Sequence, residues 1–153
     1  MKKLVSVILI VLGLCTVLSL PNLSLAASES GTLTCAAQTA FGAPASLNSI
    51  SLGTMDMGAG VFIEPNGSAH GPFSAVLVGQ SLLGQTQQIV IDGTVLRGAI
   101  APDGRAYISG VATVGSLPGI PFSVVATANS AVLTVGSTIL PAANVKRGSI
   151  SIE

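Results

Sequence analysis

The sequence predicts an all-β protein, a single antiparallel β-sandwich or small β-barrel of about ten short strands behind an N-terminal signal helix. Short runs alternate between apolar and polar residues, and Gly, Pro and Asn turn signals separate these runs. Beyond the N-terminal segment, no window keeps the apolar spacing of an amphipathic helix. Closely spaced strands joined by tight turns are typical of both sandwiches and barrels, so the pattern leaves these two architectures open.

Residues 1–26 predict a signal peptide. Two lysines precede an apolar run over residues 4–20, Pro21 breaks the run, and small residues then suit a signal peptidase. We expect cleavage after Ala26 or Ala27. The alternative is an uncleaved membrane anchor, but a spanning helix needs about 20 apolar residues and this run is shorter. A secreted, periplasmic or cell-envelope location follows, and low-charge chains rich in Gly, Ser and Thr are common among bacterial envelope proteins.

The chain after this segment divides into a leader and one domain. Residues 27–31 are polar and are expected to be flexible, and residues 32–153 are expected to form a single all-β domain. Alternating segments are interpreted as strands, and segments rich in Ala, Gly or Pro as loops. In the first half, the expected strands are 32–36, 49–52, 61–64, 72–78 and 87–92, the expected loops are 37–48 and 53–60, and a turn is expected at 65–68.

Residues 94–114 predict a long β-hairpin that organises the sheet. Pro102-Asp103-Gly104 is the clearest turn signal of the chain, because Pro fixes φ, Asp bonds to nearby backbone and Gly tolerates positive φ. Asp92-Gly93 is interpreted as the turn that leads into it. Gly98 and Gly110 interrupt the arms and indicate a bulge or a close backbone approach. The side chains expected on the buried face are Leu96 and Ile100 in the first arm, and Ala106, Ile108, Ala112 and Val114 in the second.

The remaining segments predict further short strands. Residues 117–121 contain two prolines and are interpreted as a turn. The strand at 122–128 is expected to direct Phe122, Val124, Ala126 and Ala128 inward. Shorter strands at 131–135, 138–140 and 148–153 follow, and the last is expected to fix the C-terminal residues in the sheet.

Charge and cysteine content exclude several partners. After cleavage four basic and six acidic residues remain, a net charge of −2. Scattered cations give no basic patch for nucleic acid and no polybasic stripe for anionic lipid, so neither nucleic acid nor membrane is expected as a partner of the cleaved chain. Cys35 is then the one remaining cysteine, so no intramolecular disulfide is expected, and its apolar neighbours indicate a small buried residue.

The residues available for catalysis are few. His70 is the single histidine, and no G-x-S-x-G motif marks a nucleophile beside it. A carboxylate pair for sugar hydrolysis would come from Asp56, Glu64, Asp92 and Asp103. Asp92 and Asp103 each precede a glycine, where turn geometry already explains an aspartate. We therefore expect no enzyme and no cofactor.

The sequence contains one candidate metal site. Met55, Met57 and His70 are soft ligands of the kind that copper(I) accepts. The simpler interpretation is that both methionines are loop residues that pack onto the core and that His70 is an exposed loop histidine. One cysteine and one histidine cannot supply a tetrahedral zinc set. If the protein has a site, the expected place is the loop at 53–60 together with His70.

The sequence thus favours an exported, non-enzymatic β-domain that acts as a structural or binding module. A protein or a surface polymer would be its partner, because a surface of Ser, Thr and Gln suits weak or edge-strand contacts. The first alternative is a carrier of a small apolar ligand inside a barrel, with small inward residues leaving a cavity. The second is a periplasmic protein that binds copper(I) through Met and His.

Overall fold

The computed structural model describes residues 29–153, and these form nine antiparallel strands in one sheet. The all-β prediction is confirmed. Four strands have 13 residues or more, so the sheet is built from longer elements than the short ones expected. In chain order the strands are β1 (Gly31–Leu47), β2 (Ile50–Ile63), β3 (Ser68–Gln80), β4 (Thr86–Ile100), β5 (Ala106–Val114), β6 (Leu117–Ala126), β7 (Ser130–Val135), β8 (Thr138–Ile139) and β9 (Ala143–Ile152).

The sheet closes into a ring. Strands β1 to β6 pair with their neighbours in chain order, β6 pairs with β7, β7 pairs with β9, and β9 returns to β1. The short strand β8 pairs with β7 alone. Closure removes the free edges that a two-sheet sandwich would expose. Of the two architectures that the sequence left open, the structure has the barrel.

Side chains directed into the ring form one core. Alternate residues are buried along much of β1 to β7, as period-2 geometry requires, and β7 shows the pattern throughout. Phe73 and Phe122 stack inside the ring. The one buried polar side chain of the described residues, Thr39, donates a hydrogen bond from Oγ1 to the Met55 carbonyl oxygen at 2.8 Å. The largest fully buried side chains are Leu33, Met55, Ile63, Leu77, Ile91, Leu133, Leu140, Val95, Val124 and Thr39.

The two loops predicted in the first half are wrong. Residues 37–47 belong to β1, and residues 53–60 lie within β2, which pairs with β1 on one side and β3 on the other. The alternation of apolar and polar residues is interrupted in the sequence because the pairing register shifts within both strands. The β1–β2 register shifts between Ala40 and Ala45, and the β2–β3 register shifts between Leu52 and Thr54. A bulge inserts an unpaired residue and so interrupts the alternation that marks a strand.

The connection between β1 and β2 is a two-residue turn that the sequence reading missed. Asn48 and Ser49 both have positive φ, 51° and 64°. Two consecutive residues of this kind form the turn that matches the twist of a β-hairpin. The strand expected from residue 49 therefore begins one residue later, at Ile50.

The hairpin around Pro102-Asp103-Gly104 is confirmed, and its inner face is confirmed in the second arm. Ala106, Ile108, Ala112 and Val114 are all buried. In the first arm Leu96 is exposed, because the β4–β5 register shifts between Val95 and Arg97 and Val95 takes the buried position. The expected close approach at Gly110 is confirmed, since a Cβ there would lie 1.9 Å from the Thr94 carbonyl oxygen.

Two predicted turns are instead strand. Asp92-Gly93 lies in the middle of β4, and residues 117–121 begin β6. The prolines of β6 are tolerated because they precede the part of this strand that pairs with β7, which starts at Phe122. Ala128 is exposed in the turn after β6, so it does not join the inward set of that strand.

The ends of the described chain lie side by side. The Thr32 amide donates to the Glu153 carbonyl oxygen at 2.6 Å, and the Glu153 amide donates to the Thr32 carbonyl oxygen at 3.0 Å. The last strand is thus held in the sheet, as expected. Gly31 is already the first residue of β1. The signal-peptide prediction over 1–26 lies outside the described residues.

No helix among residues 29–153 has the length and apolar character needed to cross a membrane.

Candidate functional site

The structure does not bring the three candidate metal ligands together. Met55 and Met57 alternate with Asp56 along β2, so both point into the ring, where they are 0% and 6% exposed. His70 lies on β3 opposite Phe62, and its side chain is 68% exposed on the outer surface. In the described part of the chain, no group of three or more His, Cys, Asp or Glu side chains is placed to hold a metal ion.

Within the described residues, His70 forms one ion pair, with the carboxylate of Glu64. Its Nε2 lies 3.5 Å from Oε1 of Glu64 across the β2–β3 turn. That turn is held by its own bonds, with the Gly67 amide donating to the Glu64 carbonyl oxygen and the Ser68 amide donating to Asn66 Oδ1. Within residues 29–153, no serine hydroxyl is hydrogen-bonded to His70. The pair is an exposed turn contact with no nucleophile attached.

The carboxylates considered for sugar hydrolysis are dispersed. Asp56 and Asp92 are exposed on β2 and β4, with β3 between them. Asp103 is paired with Arg105, whose Nε donates to Oδ2 at 2.7 Å, and the Arg105 amide also donates to Oδ1. The hydrogen bond from the Arg105 guanidinium lowers the pKa of Asp103. A carboxylate held ionised by its own turn is unsuited to act as a general acid.

Cys35 is buried on the inner face of β1, as the sequence predicts. It is 8% exposed, and its Sγ lies 3.7 Å from the Met57 carbonyl oxygen, a weak thiol hydrogen bond. Burial raises the pKa of the thiol. A protonated, enclosed thiol is a poor nucleophile and a poor metal ligand. No disulfide is present among the described residues.

The interior of the ring is filled where its largest side chains meet. Residues such as Met55, Leu77, Ile91 and Leu133 are each 0% exposed, so no space wide enough for water lies beside them. A carrier of an apolar ligand needs a cavity of about 300 Å³ or more. These side chains occupy the inner face on which the carrier hypothesis depends.

A shallow depression of ≈ 360 Å³ lies on the outside of β4, β5 and β6. Arg97 stands at its edge and has no ion-pair partner among residues 29–153. Tyr107 is 37% exposed beside it, and the Arg105 guanidinium lies 5.9 Å from the centre of the Tyr107 ring. The other side chains of this depression are small or apolar, chiefly Ser109, Ser123 and Val125.

The distribution of charge around the ring is the feature that the sequence reading missed. Residues 106–145, which form β5 to β8, contain no Asp, Glu, Lys, Arg or His. Their outward side chains are uncharged, and they include Tyr107 at 37% exposure and Val111 at 45%. The signal was present in the sequence as a long uncharged run. Only the closed ring shows that this run forms one continuous side of the molecule.

The two ends of the ring also differ. Because neighbouring strands are antiparallel, the turns at 48–49, 81–85, 115–116 and 136–137 lie at one end, which we call the neutral end. Asn48 borders one depression with Leu82 and Leu83 and a second with Leu117, so these turns are close together. None of the four turns carries a charge. The opposite end carries Glu64, Asp103, Arg105 and Glu153.

Comparison with family models, with curated proteins and with solved structures gives no match to this chain, so its site is defined by its own residues alone.

Proposed function

We propose that this chain is an exported, non-enzymatic β-domain that works as a binding module of the cell envelope or extracellular space. The observation that carries the proposal is the uncharged outer side formed by β5 to β8. A charged partner would be recognised by charged side chains, and residues 106–145 supply none. A neutral partner, such as another protein or a surface polymer, fits this side because contact with it removes no charged group from water.

The absence of an assembled reactive centre supports the non-enzymatic part of the proposal. Among residues 29–153, the ion-pair partner of His70 is Glu64, Cys35 is enclosed, and Asp103 is bound to Arg105. General acid–base chemistry needs a group within hydrogen-bond reach of a substrate and a pKa near the working pH. Variants His70→Ala and Asp56→Ala are expected to leave the biological activity of the exported protein unchanged. A loss of activity in either variant would contradict the non-enzymatic proposal.

The binding part is tested by placing one charge on either side of the ring. Val111→Glu puts a carboxylate on the exposed surface of β5, and Thr34→Glu puts the same group on the exposed surface of β1. The measurement is the fraction of exported protein that sediments with the envelope of its host. We expect Val111→Glu to reduce this fraction about tenfold, which corresponds to a binding free energy that is less favourable by roughly 1.4 kcal/mol. Thr34→Glu is expected to leave the fraction unchanged.

Equal retention of the two variants and the unaltered protein would show that the uncharged side is not the binding surface. Far-UV circular dichroism of both variants provides the folding control. N-terminal sequencing of the exported chain tests cleavage after Ala26 or Ala27 in the same preparation.

A further inference from the structure

The neutral end of the ring carries the most exposed hydrophobic side chains of the described residues. Leu82 is 91% exposed and Leu83 is 86% exposed, both at the tip of the β3–β4 turn. Neighbouring elements at this end add Leu117 at 60% and Ile139 at 72%. We propose that Leu82 and Leu83 insert into the surface of a phospholipid bilayer and that the neutral end is the membrane-facing end of the molecule.

Three hydrogen bonds among Ser81, Gly84 and Gln85 close the turn that carries the two leucines. The Ser81 amide donates to the Gln85 carbonyl oxygen at 2.9 Å, and the Gly84 amide donates to the Ser81 carbonyl oxygen at 2.9 Å. Ser81 Oγ also accepts a bond from the Gln85 amide. The turn therefore presents two large apolar side chains on a closed scaffold.

Charge favours this end over the rest of the surface. Residues 42–55, 71–91 and 106–145, which include all four turns of the neutral end, contain no Asp, Glu, Lys, Arg or His. Shallow insertion of this end removes no ionised group from water. The opposite end, with Glu64, Asp103, Arg105 and Glu153, stays hydrated when the neutral end faces the bilayer. The ring is thus amphipathic along its axis.

The shape of the tip favours lipid over a second copy of the chain. Side chains that are about nine-tenths exposed stand clear of the surface that carries them, whereas a self-complementary protein interface needs a broader, mutually packed patch. Fluid lipid closes around such a tip without a matching pocket. The expectation of no membrane contact assumed that anionic lipid must be attracted by basic residues. This mode of contact needs no basic residue, and it predicts binding that is independent of salt and of anionic lipid.

The inference goes beyond the proposed function by giving the module a second contact surface, and it rests on the export of the chain. Its residues, Leu82 and Leu83, are different from Val111 on β5, which tests the proposed function. The failure of one proposal can therefore be distinguished from the failure of the other. Loss of vesicle binding would leave the comparison of Val111→Glu with Thr34→Glu untouched.

The test uses a chain that starts at residue 27, since strands drawn from residues 31–152 close the ring by themselves. Flotation with phosphatidylcholine vesicles measures its partition coefficient. We expect each of Leu82→Ser and Leu83→Ser to lower that coefficient about tenfold, as removal of a buried leucine does. Leu96→Ser is the matched control, because Leu96 is 52% exposed on β4 beside the charged Arg97. It is expected to float like the unaltered chain.

A fluorescent residue gives an independent reading. The chain has no tryptophan, so Leu83→Trp and Leu96→Trp each introduce a single probe. The proposal expects a blue shift of the Leu83→Trp emission on adding vesicles, quenching by lipids brominated near the headgroup, and no change for Leu96→Trp. Unchanged emission of Leu83→Trp, or equal flotation of all the serine variants, overturns the proposal. A blue shift that needs no vesicles and follows protein concentration also overturns it, because a second copy of the chain then covers the neutral end.

Discussion

Phe73 and Phe122 stack across the interior of the ring, with their centroids 4.9 Å apart and their planes inclined by 16°. Phe73 belongs to β3 and Phe122 to β6, and two strands separate them around the sheet. The contact therefore crosses the interior and joins two parts of the ring that share no backbone ladder. Both rings are almost fully buried, at 2% and 3% exposure. Stacked aromatic pairs add stability beyond the area that they bury.

Replacing one of these rings should destabilise the whole sheet. Phe122→Ala removes the stack and leaves a cavity, which costs about 3–5 kcal/mol of the free energy of unfolding. Urea denaturation followed by far-UV circular dichroism measures the change. Phe62→Ala is the control, because Phe62 is 49% exposed on the outer face of β2. A loss at Phe122 no larger than the loss at Phe62 would contradict a packed interior.

Gly93 makes room for the Phe122 ring, and this explains why a glycine stands in the middle of β4. A Cβ at position 93 would lie 2.6 Å from Cε1 of Phe122. Gly93→Ala is therefore expected to cost about 1–3 kcal/mol through overpacking. Gly60→Ala is the matched control, since a Cβ at Gly60 meets nothing within 4 Å and its φ is not in the left-handed region.

A double-mutant cycle separates this steric cause from β-propensity. In a Phe122→Leu background the side chain that would meet the new methyl group is smaller, so the cost of Gly93→Ala should shrink by about 1 kcal/mol or more. Equal costs in both backgrounds would show that the aromatic ring is not the reason for the glycine.

The same glycine shows how far the sequence predicted the fold. Alternation identified the class, and it identified the inner faces of β5 and of the second half of β6. Asp92-Gly93 has the composition of a turn, and the reason for its glycine is a ring contributed by residue 122, which a local window does not contain. Bulges misled the reading of β1, β2 and the first arm of the hairpin for a similar reason. An insertion of this kind, three residues in β1 and one residue each in β2 and β4, is set by pairing with a neighbouring strand and not by composition.

The candidate site was less predictable than the fold. Met55 and Met57 were placed in a loop because glycines flank them, but β2 directs both side chains into the core. His70 lies in strand β3, just after the turn that the sequence predicts at 65–68, and its partner Glu64 comes from the other side of that turn. Leu82 and Leu83 lie between the two expected strands at 72–78 and 87–92. Their exposure depends on a tight turn whose bonds all run between Ser81 and Gln85.

The β1–β2 turn offers a stabilising substitution. Ser49 has φ of 64° in a two-residue turn whose second position strongly favours glycine. Ser49→Gly should raise the free energy of unfolding by about 0.5–1 kcal/mol, because relief of the left-handed strain exceeds the added chain entropy. Ser51→Gly, two residues further along in exposed β2, is the control and should be destabilising. Thermal unfolding of the two variants would contradict the turn assignment if both melted below the unaltered protein.

The Asp103–Arg105 pair predicts a local effect of pH. The Arg105 hydrogen bond lowers the pKa of Asp103 in the folded chain. A lowered folded pKa means that the contribution of the pair is present above the unfolded pKa and is lost as the pH falls through the folded value. Carboxyl NMR titration should place Asp103 below an ordinary aspartate and return it towards the ordinary value in Arg105→Ala. Because both side chains are about half exposed, the effect on global stability should be small. An unchanged titration in Arg105→Ala would show that the turn backbone, and not the guanidinium, holds the charge.

Cys35 provides a reporter of ring opening. Its thiol is enclosed by the core and burial raises its pKa, so the folded chain presents neither access nor thiolate to a reagent. Labelling by an aromatic disulfide at pH 8 should be slow in the folded protein, and should become complete and fast above the urea midpoint.

The raised pKa of the Cys35 thiol in the folded chain also predicts an effect of pH on stability. The stability that the buried thiol contributes is fully present below the pKa of the thiol in the unfolded chain. It is lost as the pH rises through the folded value, because the unfolded thiol ionises first. Cys35→Ala should therefore flatten the alkaline fall in stability measured by urea titration. Rapid labelling of the folded protein would contradict the closed ring at β1, since both neighbours of β1, the strands β2 and β9, would have to separate from it to admit the reagent.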